Sequence, residues 1–251
     1  MIRYVNLFRN LSNWWLYLAV KFGLVRTDLL LFKTRRGILI EVPKRLLHTF
    51  KEIFMEECYM TGLEDTIPDN PTIIDIGANA GYFTLFAASC FHGARIWAYE
   101  PIPSNFKQLD RNCKMNANIQ VTCLQKAVSG QAGKIIMTYD SRDSFTTSAT
   151  ILSKPDDTND VIKVDSVTIP EIFEAYGIKK CDLLKMDCEG AEYDIIYQCP
   201  SDYLLKITQI AMEVHKGPEP SQNMESLEKH LASHGFATRR HSTDMMWAWR
   251  R

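Results

Sequence analysis

Three observations predict a doubly wound α/β fold built on a mostly parallel sheet. From Pro71 to His215, apolar strand patterns alternate with helical ones. The first strand, in the string PTIIDIGANAGYFT, runs straight into a turn bearing Gly77 and Gly81 and then into a helix. Such a unit lets backbone approach a nucleotide-like cofactor closely. The next strand, RIWAYEP, ends in Glu100, 19 residues beyond Gly81. A carboxylate at that place can accept hydrogen bonds from both hydroxyls of a ribose.

Residues 1–69 are predicted to form a helical amino-terminal extension with a short strand pair, and residues 70–251 the main domain. In LSNWWLYLAVKFGLV, the residues Trp14, Trp15, Leu18 and Phe22 make the apolar stripe of a helix. Lys21, Arg26 and Asp28 interrupt it, so it falls short of the ~20 apolar residues a membrane span needs. No small-residue cleavage site follows, so no signal peptide is expected. The string LLLFKTRRGILIEV is expected to pair with itself, turning at Arg36 and Gly37. Ile73, Ile74 and Ile76 suit a strand covered on both faces. GYFTLFAASCF is its helix, RIWAYEP the second strand, SNFKQLDRNCKMN a helix capped by Ser104, and IQVTCLQKAVS the third strand. A strand, a Ser/Thr/Asp-rich loop and another strand follow in GKIIMTYDSRDSFTTSATILSKPDDTNDVIKV, with the loop expected to overhang the cofactor end of the sheet. IPEIFEAYGI is then a helix, CDLLKMDC a strand, EGAEYDIIYQC a helix and ITQIAMEVH a strand. The tail supplies a helix, MESLEKHLASHG, and an antiparallel hairpin of FATRRHS and MMWAWRR.

A length of 251 residues fits one such domain with an appendage. Hydrophobic residues at 46% and charged residues at 24% speak against disorder and against a bundle of membrane spans. The net charge of -1 hides an asymmetry. Residues 1–50 carry nine Lys or Arg against Asp28 and Glu41, a net of +7 that leaves -8 for the remainder. A basic, aromatic-rich segment of this kind can lie against an anionic membrane surface or meet a lipid-linked substrate. The alternative is a helical cap packed on the domain. Seven cysteines without C-x-x-C spacing point to a reducing cytoplasm, with Cys181 and Cys188 as small buried apolar residues.

The glycine spacing decides between cofactors. A dinucleotide fingerprint needs glycine at 77, 79 and 82, where the chain has Gly77, Asn79 and Tyr82. Asp75 at the strand end would repel a pyrophosphate and attract the α-amino group of a methionine moiety. S-adenosylmethionine therefore fits better than NAD.

The strand ending in LLKMDCEGAE brings Lys185, Asp187, Glu189 and Glu192 around a turn opened by Gly190, and the next strand ends in Glu213 and His215. Alternate residues share a face, which pairs Lys185 with Asp187 and Glu213 with His215. Buried charges must be paired, so this cluster is either a structural ion-pair network or a site. For attack by a hydroxyl on a sulfonium methyl, His215 is the first candidate for general base, because an ordinary imidazole can accept a proton at neutral pH. Glu213 can orient it or act itself, while Lys185 holds an acceptor oxygen or neutralises the carboxylates. Asp187 can face the acceptor or the methionine end. Asp187, Glu213 and His215 can alternatively bind a divalent cation. His230 and His234 lack the Glu of a metalloprotease motif and are expected on a helix surface. No N-P-P-Y or D-P-P-Y string follows the fourth strand, which counts against methylation of nucleobases and against a nucleic-acid partner.

The strings IDIGANAGYFT, AYEPIPSNFKQLDRNCKMN, KAVSGQAG, DLLKMDCEGAEYDII and MEVH, in that order over residues 70–216, resemble the FkbM-type S-adenosylmethionine-dependent methyltransferases. The lead-in FKEIFMEECY is similar too. The resemblance implies a Rossmann-like class I methyltransferase fold, with a seven-stranded sheet whose last strand is antiparallel. It implies that the methionine moiety lies against Asp75, Gly77, Ala78, Asn79 and Gly81, the ribose on Glu100, and the adenine near Pro101 and Ala127. The turn from Asp187 to Glu192 and the Glu213–His215 pair would face the acceptor.

The activity this implies is O-methylation of a hydroxyl, first of a sugar in a glycolipid or polysaccharide, and alternatively of a small polyketide-like metabolite. An NAD-dependent oxidoreductase and a non-catalytic cofactor binder are the readings from other classes.

Overall fold

The computed structural model describes residues 2–61, 63, 67–139, 150–151, 160–241 and 244–250. The expected alternation resolves into a central sheet of seven strands. They are β3 (Thr72–Ile76), β4 (Arg95–Tyr99), β5 (Gln120–Leu124), β10 (Leu183–Met186), β11 (Gln209–Glu213), β12 (Phe236–Arg240) and β13 (Met245–Arg250), in spatial order β12-β13-β11-β10-β3-β4-β5. β5, β4, β3, β10 and β11 run parallel, and β13 lies antiparallel between β11 and β12. The sheet with an antiparallel last strand is thus the one expected. Chain order reverses between β3 and β10, and an open parallel sheet binds its ligand beyond the strand ends at such a reversal.

Register explains the side chains on each face. Ile74 and Ile76 turn to one core with Leu184, Met186, Ile210 and Met212, under α6 (Ile169–Ala175), α7 (Glu192–Tyr197) and α9 (Met224–Ser233). Thr168 closes a capping box with Glu171 at the start of α6, and Asn223 caps α9. The opposite face carries Ile73, Leu183 and Ala211 into a second core with α4 (Tyr82–Cys90). Asp75 pairs in register with Lys185 on this second face, and both are buried. Lys185 Nζ stands 3.2 Å from Asp75 Oδ1 and 4.0 Å from Asp187 Oδ2. Burial works against the ammonium, but the two carboxylates outweigh it and hold the pKa above the usual lysine range. Removing the lysine leaves Asp75 buried and unpaired. Lys185→Met is expected to lower the unfolding free energy by about 3–5 kcal/mol, measured by urea denaturation.

The amino-terminal segment shares that second core. Its helices are α1 (Ile2–Asn10), α2 (Trp15–Lys21) and α3 (Leu47–Lys51), the last followed by one π-helical stretch, Glu52–Glu56. The strand pair β1 (Leu29–Lys33) and β2 (Leu39–Pro43) turns where expected, with Gly37 at φ 90°. Of the segment 11–25 expected as a helix, only Trp15–Lys21 is helical. Ahead of it, Leu11 bridges to Thr34, and Asn13 bonds the backbone of Leu31 and Lys33, so tertiary hydrogen bonds replace helical ones. Leu7, Phe32, Phe50 and Phe54 pack with Phe83, Phe86 and Trp247 of the main sheet's layer.

The strand expected through Ser129 also divides. β5 ends at Leu124, and β6 (Ala127–Val128) joins a second sheet with β7 (Gly133–Tyr139), β8 (Thr150–Ile151) and β9 (Asp160–Val167). The burial of Ala127 against Ile102, Met137 and Val164 accounts for the turn. Most of the Ser/Thr/Asp-rich loop lies outside the described residues. Among the described residues no helix is long and apolar enough to cross a membrane.

Candidate functional site

The turn after β3 is shaped by positive φ angles at Gly77 (72°), Asn79 (50°) and Gly81 (85°). Gly77 is the tightest point. A Cβ there would lie 1.7 Å from the carbonyl oxygen of Asp187, so only a glycine lets the ends of β3 and β10 close on each other. The amides of Gly77 and Ala78 both donate to the Tyr99 carbonyl, at 3.0 and 2.9 Å. Asn79 tolerates the left-handed conformation and accepts the Ala80 amide on its own side chain at 2.7 Å. Lys185 donates to the Gly77 carbonyl at 2.7 Å, linking the buried Asp75–Lys185 pair to the turn. Thr84 fixes the other oxygen of Asp75 at 2.6 Å.

Two clefts meet at this turn. The first is lined by Gly77, Asn79, Glu100, Pro101 and Ala127, with Tyr99, Val128 and Met137 as apolar walls. Glu100 is only 4% exposed, and its carboxylate accepts from the Asn79 amide at 2.8 Å and the Ile102 amide at 2.9 Å. Burial pushes its pKa up to about 7, and the two amide bonds restrain that rise. The second cleft is lined by Gly77, Ala78, Asn79, Lys185, Asp187, Glu189 and Glu213, with Tyr59 and Phe83 from below and Glu52, Glu56 and Asp244 at its sides. Both clefts share Gly77, Asn79, Asp187 and Glu189. Asp75 and Gly81, expected against the methionine moiety, line neither cleft. They act on the turn from behind.

In the second cleft, Tyr59 donates its hydroxyl to Asp187 Oδ2 at 2.9 Å and lies 3.4 Å from Glu213 Oε2. Burial, then the Asp187 charge, raises the Glu213 pKa to about 7. His215 sits behind this group. Its Nδ1 is 3.1 Å from the fully buried Glu192, and its Nε2 is 3.5 Å from Glu189 and 3.7 Å from Glu213. The hydrogen bond with Glu192 raises the imidazole pKa to about 9, against the opposing effect of burial. The ring is therefore a cation at neutral pH. The same-face pairing of Glu213 with His215 holds, but the ordinary imidazole pKa assumed for His215 does not, because Glu192 reaches back from α7 to bind it. Asp187, Glu213 and His215 each offer one ligand atom, all within 4.8 Å of one another, a spacing that a divalent cation could bridge. His230 on α9 and His234 just past its last residue are both partly exposed. Sequence reasoning assigned no site role to Tyr59, Glu52 or Glu56, whose only signal was the FKEIFMEECY lead-in.

The first cleft fits S-adenosylmethionine. A buried carboxylate at the end of the second strand, the backbone of Gly77 and Asn79 lining the cleft, and apolar walls beside Pro101 and Ala127 suit a ribose, a methionine chain and an adenine. Glu100→Ala is expected to weaken S-adenosylmethionine binding by about 1–3 kcal/mol in calorimetry, the cost of unpaired polar partners. Unchanged affinity would remove Glu100 from the ribose.

Comparison with known proteins agrees with this geometry. Residues 75–238 match the family model described as the methyltransferase FkbM domain. The chain is 28% identical over 215 residues to methyltransferase sdnD of Sordaria araneosa, covering 74% of this chain and 80% of that protein. It is 25% identical over 213 residues to 31-O-demethyl-FK506 methyltransferase FkbM of Streptomyces tacrolimicus, covering 74% and 80%. Among solved structures, methyltransferase FkbM from Methylobacillus flagellatus KT aligns at a TM-score of 0.50 and 15% identity, over 82% of this chain and 54% of that one. That likeness concerns the fold, and this chain spans 54% of that structure's length. The chain belongs to the FkbM-domain methyltransferase family and is a methyltransferase of the S-adenosylmethionine-dependent, Rossmann-like kind.

Proposed function

We propose that the chain methylates a hydroxyl oxygen, holding S-adenosylmethionine in the cleft beside Glu100 and the acceptor in the cleft beside Glu213. The observation that carries this reading is the junction of the two clefts at Gly77, Asn79, Asp187 and Glu189. Bound in the first cleft, the cofactor supplies an electrophilic methyl group on a sulfonium. Gly77, Ala78 and Asn79 border its methionine end, Glu100 takes the ribose hydroxyls, and Pro101 and Ala127 flank the adenine. Asp75 and Lys185 hold the turn in shape.

On the acceptor side, Glu213 takes the hydroxyl proton. It lines the cleft, whereas His215 lines neither cleft and already carries a proton at neutral pH. Tyr59 orients Asp187 beside Glu213, and the imidazolium of His215 keeps the neighbouring carboxylates from repelling one another. The finer reading of the acceptor is a sugar hydroxyl of a glycolipid or polysaccharide. The carboxylates of Glu52, Glu56, Asp187 and Glu189 support it, since each accepts hydrogen bonds from a polyhydroxyl ligand. A secondary-metabolite hydroxyl is the second reading, favoured by the similarity to 31-O-demethyl-FK506 methyltransferase.

The test is transfer of an isotopically labelled methyl group from S-adenosylmethionine to a panel of oligosaccharides, glycolipids and polyketides, followed by mass spectrometry. A labelled methyl ether on one class is expected. Label on a nitrogen or carbon instead would remove the hydroxyl from the reading. Turnover that vanishes with a chelator and returns with magnesium would show that a divalent cation takes part, with Asp187, Glu213 and a deprotonated His215 as the candidate ligands.

A further inference from the structure

Apolar exposure is concentrated in the amino-terminal segment. Of the twelve large hydrophobic side chains left exposed among the described residues, eight lie between Ile2 and Leu31. Ile2, Val5 and Phe8 form the outer stripe of α1, whose inner side buries Asn6 and Leu7. Trp15 opens α2, and Phe22 and Leu24 follow its end at 71% and 77% exposure. On β1, whose residues alternate between exposed and buried, Leu29 and Leu31 face outward.

These elements form one surface. The Phe8 ring meets Trp14 edge-on with centroids 4.5 Å apart, Lys21 donates to the Tyr4 hydroxyl at 2.7 Å, and Asn13 donates to the Leu31 carbonyl at 2.9 Å. Exposed cations are interspersed among the apolar groups: Arg3, Lys21, Arg26, Lys33, Arg35 and Arg36. Asp28 is the only acidic residue before Glu41. A soluble partner groove would have to match both the aliphatic stripe and this charge, while an anionic bilayer offers both in one plane.

We propose that this face of α1, α2 and β1 lies in the headgroup region of an anionic membrane, with Phe22, Leu24 and Trp15 inserted and the cations at lipid phosphates. The proposal is independent of the methyl-transfer reading, because it concerns a surface away from both clefts' linings. Charge complementarity selects the bilayer over a second copy, whose equivalent face would bring like charge.

The experiment is co-sedimentation of the full chain with vesicles of phosphatidylcholine alone and of phosphatidylcholine mixed with phosphatidylglycerol, at low and high salt. Binding is expected to the mixed vesicles and to weaken with salt. The double variant Phe22→Glu, Leu24→Glu should partition about tenfold or more weakly. Both side chains are exposed, so an unchanged melting temperature and circular dichroism spectrum should accompany the loss. Arg26→Glu should weaken binding to the mixed vesicles. Failure of the full chain to sediment with either vesicle at low salt would overturn the proposal, as would equal binding by the double variant. Light scattering that shows a dimer broken by the double variant, without vesicle binding, would assign the face to a second copy instead.

Discussion

Glu213→Gln is expected to lower turnover by about 10²–10⁴-fold while leaving S-adenosylmethionine affinity nearly unchanged. The amide keeps the size and hydrogen-bonding capacity of the side chain but cannot take a proton. The pH profile carries the same information. The Glu213 pKa is raised to about 7, and the base acts only when deprotonated, so kcat/KM should rise as pH increases through about 7 and fall away below it. His215→Ala should retain that limb but move it upward, because the imidazolium lowers the Glu213 pKa. Were the imidazole the base, the limb would lie near 9, and Glu213→Gln would move it downward, because the Glu213 charge helps to hold the proton on His215. A Glu213→Gln variant with ordinary turnover would end its assignment as base.

Gly77→Ala is the second large effect. The new methyl would lie 1.7 Å from the Asp187 carbonyl oxygen, on a residue held at φ 72°. Relief requires the ends of β3 and β10 to part, which breaks the junction of the two clefts. The left-handed conformation costs an alanine about 1–2 kcal/mol and the overpacking about 1–3 kcal/mol more. The variant should therefore be destabilised in chemical denaturation and should not bind S-adenosylmethionine under conditions where it is folded. Gly190→Ala separates the two terms, because Gly190 has a comparable positive φ of 101° but open space around it. That variant should show the backbone term alone.

The parts of the site visible in the sequence are those set by local chemistry. The apolar run of β3, the glycine that follows it and the acid ending β4 are each dictated by neighbours within a few residues. The parts that were not visible depend on register and on long-range packing. Asp75 looked like a ligand for an amino group because nothing in its own strand shows that Lys185 lies opposite it in β10, at 3.2 Å. His215 looked like a base because the buried Glu192 that raises its pKa comes from a helix 23 residues away in the chain. Tyr59, whose hydroxyl reaches Asp187 across 128 residues of sequence, needed the fold of the amino-terminal segment. That segment shares its core with β3, β10 and β11 and walls the second cleft.

On the proposed function, S-adenosylmethionine binding at the junction of the two clefts depends on the turn from Gly77 to Gly81 and on the acid at Glu100. Titration calorimetry of the folded chain with S-adenosylmethionine, S-adenosylhomocysteine and NAD tests it most directly. Saturable binding of the first two, weakened by Glu100→Ala, and no heat from NAD, is the predicted result. A folded chain that binds NAD alone, or none of the three, would contradict it.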